Sequence, residues 1–279
     1  MNPEHRLAQT LLRAWPFPRG AGRLLDLYFT KLSFTKHTET VRTTDDFEIT
    51  IIPNEAIGRH LYLTGEFDRS IVELLCAFSR PGDTLLDVGA NIGYVSSCFL
   101  HNVVNSAVIA VEPFSELVEI LTANLNRFGK SQIYPFAISD KDGEAWFEVN
   151  RSNMGAGRIV GGCGVRTTRV STRSATSLFS DMAIEKLDLV KVDAEGSEGK
   201  ILESCREHLL SLQPRAIIFE DNNGAIGILR PMFEQIGYTI FGIRKYLTRL
   251  KLIKEADGCH DYVAVSNART LPSSAMNYF

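Results

Sequence analysis

The sequence predicts an α/β fold in which a mostly parallel sheet carries helices on both of its faces. Short apolar runs, typical of buried strands, alternate with amphipathic runs of helical period, and brief turns join them. Near the end of the chain, two apolar runs flank a long connection without a convincing helical pattern. Because parallel neighbours need a crossover, usually a helix, this ending indicates an antiparallel finish to the sheet.

The elements follow in order along the chain. Apolar runs predict strands at residues 47–52, 84–88, 107–111, 132–137, 145–149, 187–192, 216–219, 238–243 and 262–265. Helical periodicity predicts helices at residues 93–100, 115–128, 198–210 and 225–235. A polar link is expected between the first strand and Gly65, and a glycine-rich loop is expected at residues 150–164.

The first 35 residues differ from the rest because arginines alternate with leucines there. Pro16 and Pro18 interrupt this stretch, so it predicts two short amphipathic helices. We therefore divide the chain into an N-terminal helical extension, residues 1–45, and one domain, residues 46–279. The favoured interpretation packs the extension on its own domain, and the alternative is peripheral contact with an anionic membrane surface.

Composition and charge exclude several classes of protein. The 30 basic residues against 33 acidic ones give a net charge of −3, which opposes a general nucleic-acid binder. No apolar run approaches the roughly 18 residues that span a bilayer, and the first residues lack a signal-peptide pattern. The five scattered cysteines are typical of neither a disulfide framework nor a zinc site. We therefore expect a reducing, cytoplasmic location.

A glycine turn follows the strand at residues 84–88 and carries the first chemical signal. It reads Asp87-Val-Gly-Ala-Asn-Ile-Gly93, at the strand end where open α/β sheets bind ligands. Glu112 ends the next strand, where a carboxylate can accept hydrogen bonds from both hydroxyls of a ribose. The turn and the acid together predict a cofactor that contains a nucleoside.

The spacing of the turn favours S-adenosylmethionine among such cofactors. A dinucleotide site requires G-x-G-x-x-G, but here Gly89 and Gly93 are separated by three residues. Asp87 would also bring a negative charge close to a pyrophosphate, whereas the sulfonium and amino groups of S-adenosylmethionine are cationic. A nicotinamide-dependent (NAD) oxidoreductase and a non-catalytic nucleoside-binding module remain as alternatives.

Four motifs resemble those of the FkbM family of S-adenosylmethionine-dependent methyltransferases: Asp87-Val-Gly-Ala-Asn-Ile-Gly-Tyr94, Val111-Glu-Pro113, Ala137-Ile-Ser-Asp140 and Val190-Lys-Val-Asp-Ala-Glu-Gly-Ser-Glu198. The resemblance extends from about Asp46 to Val265. It implies a class I methyltransferase (Rossmann-like) fold, whose seven-stranded sheet is mostly parallel and whose last strand is antiparallel. It also implies O-methylation of hydroxyls on sugars or other natural products.

The resemblance also implies which residues hold the cofactor. The methionine part would be enclosed by Asp87, Gly89, Ala90, Asn91 and Gly93. Glu112 would bind the ribose, and Phe136, Ala137 and Ile138 would flank the adenine. The segment Gly65-Glu-Phe-Asp68 resembles a family element G-x-Tyr-Glu and departs from it at its last two residues, which leaves a cofactor contact of Asp68 open.

Acidic residues after two further strands are the candidates for catalysis. Asp193 and Glu195 follow one strand and Glu220 ends the next, so all three are expected beside the cofactor, with Asp193 as the first choice of general base. Asp193, Glu220 and Asp221 would also suit a Mg²⁺ ion, as in catechol-type O-methyltransferases. Capping of the following helices is the alternative role for acids in these positions.

Two segments are candidates for binding the acceptor, which we expect to be a small molecule or a glycan. The glycine-rich loop at residues 150–157 follows the third strand of the cofactor-binding half. The basic stretch from Arg244 to Lys254 would suit a phosphate on a glycan, although a solvated surface is the favoured interpretation. His260 precedes the last strand, where it could approach the acceptor, although a solvated or core histidine is the favoured interpretation. No sequence feature indicates the oligomeric state.

Overall fold

The structure is a computed structural model that describes residues 3–17, 19–28, 32–150, 153–181 and 184–279. The helices are α1 Pro3–Arg13, α2 Ala21–Tyr28, α3 Ala56–Thr64, α4 Arg69–Phe78, α5 Tyr94–Asn102, α6 Ser115–Leu125, α7 Ala175–Asp181, α8 Glu198–Ser204, α9 Arg206–Leu212 and α10 Ile226–Gln235, followed by a 3₁₀ helix, Ser273–Tyr278. The strands are β1 Glu39–Arg42, β2 Glu48–Ile51, β3 Thr84–Val88, β4 Ala107–Val111, β5 Ser131–Tyr134, β6 Ala137–Ser139, β7 Gly143–Asn150, β8 Asn153–Val160, β9 Thr167–Ser174, β10 Leu189–Val192, β11 Ala216–Glu220, β12 Tyr238–Lys245, β13 Leu250–Lys254 and β14 Asp261–Ser266.

Within the described residues, the central sheet has eight strands in the order β13-β12-β14-β11-β10-β3-β4-β5. The five strands from β11 to β5 are parallel to one another, and β14 lies antiparallel between β11 and β12. This mostly parallel sheet with an antiparallel last strand confirms the predicted class I methyltransferase fold. The predicted count of seven strands is one short, because residues 250–254 of the basic stretch form the antiparallel edge strand β13.

Alternation along the strands produces the two helical layers. Leu85, Leu189 and Ile218 point into the core shared with α4, α5 and α6. Their neighbours Leu86, Val190 and Ile217 point into a second core shared with α7, α8, α9 and α10. Both faces of the inner strands are therefore buried, which is why these strands read as continuous apolar runs rather than alternating ones.

A second, four-stranded sheet follows β5 and has the order β6-β9-β7-β8. The predicted strand at residues 145–149 is its β7. The glycine-rich loop expected over residues 150–164 is wrong in part, since residues 153–160 pair with β7 as strand β8. Arg151 and Ser152 of that loop lie outside the described residues. Two glycines within β8 gave the segment the composition of a loop although its backbone is extended.

Two other expectations about the elements are corrected. The polar link expected before Gly65 is helix α3. Its helical pattern is weak because Gly58 interrupts it, yet a Cβ at Gly58 would lie 2.0 Å from the Ile52 carbonyl oxygen, so only glycine fits there. The single helix predicted at residues 198–210 is divided at Cys205 into α8 and α9.

The N-terminal extension forms the two predicted helices, α1 and α2, and contributes to the first core. Ala8, Leu12 and Leu25 are buried there. The proposed boundary after residue 45 falls inside the hairpin that β1 and β2 form by antiparallel pairing. Pro18, one of the two prolines that separate the helices, lies outside the described residues. No helix in the described part of the chain combines the length and apolarity needed to cross a bilayer.

A buried ion pair ties the start of the central sheet together at the edge opposite the carboxyl ends of its strands. Arg215 is 3% exposed, and its guanidinium donates to Asp83 Oδ2 at 2.7 Å and to the carbonyl oxygen of Phe78 at 2.9 Å. Asp83 precedes β3, Phe78 ends α4 and Arg215 precedes β11. Burial raises the pKa of Asp83, so the arginine is needed to hold its charge.

We expect the substitution Arg215→Met to lower the free energy of unfolding by about 3 kcal/mol, because Asp83 would stay buried without a cation. Urea denaturation measures this change. Arg158→Met is the matched control, since Arg158 pairs with Glu148 at an exposed site and should change the free energy by less than about 1 kcal/mol. Equal effects of the two substitutions would contradict a stabilising role of the buried pair.

Candidate active site

A cavity of about 650 Å³ lies at the carboxyl ends of the central strands, a volume within the range of small-molecule sites. Most of the predicted site residues line it: Asp68, Gly89, Ala90, Asn91, Glu112, Phe136, Ala137, Ile138, Asp193, Glu195 and Glu220. Asp87, Gly93 and Asp221 are absent from the lining. The topology thus brings together residues from five separate strand ends and from the start of α4.

The backbone of the glycine turn is fully hydrogen-bonded within the protein. The amides of Gly89 and Ala90 donate to the Val111 carbonyl oxygen, and that of Asn91 donates to Glu112 Oε2 at 3.0 Å. The next two amides are also bonded: that of Ile92 to Asn91 Oδ1 and that of Gly93 to the Ala90 carbonyl. A pyrophosphate needs open amides at this turn, so the arrangement opposes a dinucleotide.

Packing within the protein explains both glycines of the turn. Gly89 has a φ of +74°, and a Cβ there would lie 1.8 Å from the Asp193 carbonyl oxygen. Gly93 has a φ of +82°, and a Cβ there would lie 2.6 Å from Leu121 Cδ1. Glycine is therefore required by the close contact of β3 with β10 and of α5 with α6, whatever the cavity holds.

Glu112 is the buried acid of the cofactor half. It is 5% exposed, with Oε2 accepting from the Asn91 amide and Oε1 from the Phe114 amide, both at 3.0 Å. Burial raises the pKa of Glu112 to about 7, although these two amides act in the opposite direction. Each oxygen keeps a lone pair, so a ligand with two adjacent hydroxyls would satisfy the carboxylate.

An apolar wall adjoins Glu112. Phe136 lies between β5 and β6, and Ala137 and Ile138 begin β6. All three are almost completely buried, yet they line the cavity. A flat aromatic base would therefore meet apolar contacts on this side, as the sequence predicted for adenine.

Asp87 lies behind the cavity wall and is paired with Lys191, a residue that the sequence analysis did not single out. Asp87 is fully buried, accepts from the Ser96 hydroxyl at 2.6 Å, and has Oδ1 3.1 Å from Lys191 Nζ. The ammonium also donates to the Gly89 carbonyl oxygen at 2.9 Å and lies 3.5 Å from Asp193 Oδ2. Burial favours a neutral Lys191, but Asp87 and Asp193 outweigh it and raise its pKa.

The acids predicted for catalysis meet at the ends of β10 and β11. Glu220 accepts from Asn222 at 2.7 Å and has Oε1 3.0 Å from His260 Nε2. Burial, followed by the carboxylates of Asp193 and Glu195, raises the pKa of Glu220 to about 8. Burial and Asp193 also raise the pKa of Glu195. His260 therefore lies beside this acidic edge and is not simply a solvated histidine.

A second lysine closes the cavity on the side of the basic stretch. Lys245 Nζ lies 2.7 Å from Asp261 Oδ2 and 3.5 Å from Asp68 Oδ1. Burial raises the pKa of Asp68 to about 6, and Lys245 limits the rise. Asp68 therefore lines the cavity, and its charged partner is Lys245, which the sequence analysis placed only within a basic run.

The three residues predicted to bind Mg²⁺ do not all face one point. Asp221 accepts from the amides of Ala225 and Ile226, so its carboxylate caps the start of α10. Among the described residues, one cluster that could hold an ion consists of Asp193, Glu198 and Glu220, and another of Glu220, His260 and Asp261. Glu198 itself accepts from the amides of Ala194 and Gly196, which reduces its capacity for a metal.

The small sheet supplies the wall opposite the strand ends. Residues Met154, Gly155 and Gly157 of β8 line the cavity. Glu55, 2% exposed, holds this wall to the fold, since it accepts from the amides of Ile57 and Gly58 in α3 and from that of Met154 in β8. The sequence did not single out Glu55, because a bond across 99 residues leaves no local signal.

A sequence model of the methyltransferase FkbM domain matches residues 87–249, more than half of the chain. The chain belongs to the FkbM methyltransferase family. The resemblance read from the motifs is thereby confirmed. Membership in a family that uses S-adenosylmethionine agrees with the closed amides of the glycine turn and favours this cofactor over NAD.

Two curated relatives share part of the chain. The chain is 31% identical to the hexuronic acid methyltransferase AglP of Haloferax volcanii, over 57% of this chain and 64% of that protein. It is 23% identical to the 2-O-methyltransferase NoeI of Sinorhizobium fredii, over 50% of this chain and 63% of that protein. The matched regions thus span slightly less than two thirds of each relative.

Solved structures of methyltransferases are also similar to the chain. One is an S-adenosylmethionine-dependent O-methyltransferase from Thermotoga maritima, with 14% identity, a TM-score of 0.42, and coverage of 83% of this chain and 78% of that one. Another is a putative tRNA (m1A22) methyltransferase from Streptococcus pneumoniae, with 16% identity, a TM-score of 0.43, and coverage of 76% and 75%.

We expect Lys191→Met to weaken the binding of S-adenosylhomocysteine by about tenfold, since the glycine turn would lose the cation that holds Asp87 and the Gly89 carbonyl. Titration calorimetry measures the dissociation constant. Lys200→Met, an exposed change on α8, is the control. The double variant Lys191→Met/Asp87→Asn removes the unpaired charge and should recover thermal stability; unchanged affinity of the single variant would refute the role of Lys191.

Proposed function

We propose that the protein is an S-adenosylmethionine-dependent O-methyltransferase that acts on a hydroxyl of a sugar or glycan. The observation that carries this proposal is that one cavity is lined both by a buried carboxylate, Glu112, and by the Glu220–His260 pair. The sugar acceptor is supported by the names of the two relatives, a hexuronic acid methyltransferase and a 2-O-methyltransferase.

The residues present fit the cofactor. Glu112 would accept the two ribose hydroxyls, and Phe136 and Ile138 would contact the adenine. When bound, S-adenosylmethionine supplies an activated methyl group on a sulfonium. Asp193 and Glu195 face the same cavity, and their charges would favour a cation there.

Glu220 is our choice of general base for the acceptor hydroxyl. Its raised pKa lies near neutral pH, where a base both holds a proton well and is substantially ionised. His260 Nε2 lies 3.0 Å from its carboxylate and would orient it. Glu220 would accept the proton of the acceptor hydroxyl at its carboxylate oxygen, which would leave the acceptor oxygen free to take the methyl group. Asp193, the first choice from sequence, has its carboxylate beside Lys191 and is the alternative base.

The side-chain contacts of these acids also reduce their capacity to bind the Mg²⁺ ion expected from sequence. Asp193 lies 3.5 Å from the Lys191 ammonium, and Asp221 caps a helix. Glu220 would have to exchange its contact with His260 for a metal ion. We therefore propose that the acceptor is held and deprotonated by side chains, with Mg²⁺ at Asp193, Glu198 and Glu220 as the competing arrangement.

We expect the protein to transfer labelled methyl groups from S-adenosylmethionine to a glycan extract, and to do so undiminished after exhaustive EDTA treatment. Scintillation counting and mass spectrometry of the products measure the transfer. Loss of activity in EDTA that Mg²⁺ restores would establish the metal arrangement. Binding of S-adenosylhomocysteine without transfer to any extract would indicate a nucleoside-binding module, and binding of NAD instead would overturn the proposal.

The rate of methyl transfer should rise with pH and level off above about 8, because only the ionised form of Glu220 accepts a proton. Glu220→Gln should lower kcat by about a hundredfold or more and abolish this rise. Asp221→Asn is the control, since that acid caps α10 and should leave the pH profile intact. If Asp193→Asn instead abolishes the rise while Glu220→Gln retains it, Asp193 is the base.

A further inference from the structure

The mouth of the cavity is formed by two segments that the proposed chemistry does not use. Arg19, Gly20 and Arg23 of the N-terminal extension line it, as do Tyr246 and Leu247 between β12 and β13. The two segments touch, since a Cβ at Gly20 would lie 3.0 Å from Leu247 Cδ1 and 3.3 Å from Trp15 Nε1. The extension and the β12–β13 hairpin therefore border one opening.

Large apolar side chains are exposed in both segments. They are Leu7, Leu11, Phe17, Leu27, Tyr246, Leu247 and Ile253. On α1, the face with Ala8 and Leu12 is buried, while Leu7 and Leu11, one turn apart, point outward. Leu27 is 72% exposed on α2. We call the exposed side chains of residues 3–27 and 244–254, in the described part of these segments, the mouth surface.

The charge of the mouth surface is opposite to that of the whole chain. Residues 244–254 contain no acidic residue, and besides Lys245, which pairs with Asp68 and Asp261, they contain four basic ones: Arg244, Arg249, Lys251 and Lys254. Residues 3–27 contain Glu4, Asp26 and four arginines, of which Arg19 is paired with Glu73 and Arg6, Arg13 and Arg23 are exposed. Excess positive charge thus gathers around the opening of a protein whose net charge is −3.

We propose that the mouth surface docks on an anionic lipid bilayer and receives from it an acceptor glycan that is carried on a lipid. Leucines and aromatic rings among arginines suit the boundary between head groups and acyl chains, where apolar groups insert and cations meet phosphates. Arg249 lies over the ring of Tyr246, so the two present a cation and an aromatic face together. The proposed docking depends only on the mouth surface, whereas the proposal of a lipid-carried acceptor also rests on the proposed function.

The test is co-sedimentation of the full chain with vesicles, which requires neither methyl donor nor acceptor. Vesicles of phosphatidylglycerol mixed with phosphatidylcholine should bind the protein, and vesicles of phosphatidylcholine alone should bind it much less. Binding should weaken as salt is raised, because screening shortens the reach of the charges. Equal binding to both vesicles, or no binding at low salt, would overturn the proposal.

Matched variants distinguish binding through the mouth surface from nonspecific hydrophobic binding to vesicles. Leu11→Ser, Leu27→Ser and Leu247→Ser together should weaken binding about tenfold or more, and Arg249→Gln with Lys251→Gln should weaken it roughly fivefold per charge. Leu210→Ser with Ile228→Ser removes exposed apolar groups from α9 and α10 and should leave binding unchanged. If the triple leucine variant bound vesicles as tightly as the wild type, the docking proposal would be refuted. That result would not affect the proposed function, which methyl transfer to a lipid-free glycan tests separately.

Discussion

The ion pair between Lys191 and Asp87 is the interaction on which the site depends. The two residues are direct partners in the parallel register of β10 and β3, so the pairing of the strands sets one beside the other. Both are buried, and neither charge would be tolerated there alone. The same ammonium holds the Gly89 carbonyl and approaches Asp193, and it thereby joins the glycine turn to the acidic edge.

The amides of the glycine turn are bonded to partners other than Lys191. Those of Gly89 and Ala90 donate to the Val111 carbonyl oxygen and that of Asn91 to Glu112, and the next two amides are bonded within the turn, so no amide from Gly89 to Gly93 is left to bind a phosphate. The charge of Asp87 would also disfavour a pyrophosphate, but Lys191 neutralises that charge behind the cavity wall. Selection against a dinucleotide therefore depends on filled hydrogen bonds more than on electrostatic repulsion.

The features that the sequence predicts correctly are those encoded by a short, continuous stretch of residues. Inner strands such as β3 and β10 are continuous apolar runs, and the topology then puts any acid at their ends on one edge, which located Glu112 and Glu220. The direction of a side chain at that edge is not local: Asp221 turns to cap α10, while Glu220, one residue earlier, faces the cavity. The sequence analysis did not single out Lys191, because only the pairing of β10 with β3 shows that this lysine lies beside Asp87.

The side of the cavity proposed for the acceptor is harder to predict from sequence than the side proposed for the cofactor. Its walls come from α3, β8 and the β12–β13 hairpin, and in each of these segments the sequence pattern is weak or mixed. Gly155 of β8 is an example, since a Cβ there would lie 2.9 Å from the Asn91 side chain. Where a strand must pass this close to the cofactor turn, small residues replace the apolar alternation by which strands are recognised. A segment that shapes the acceptor site therefore loses the pattern that would have revealed it.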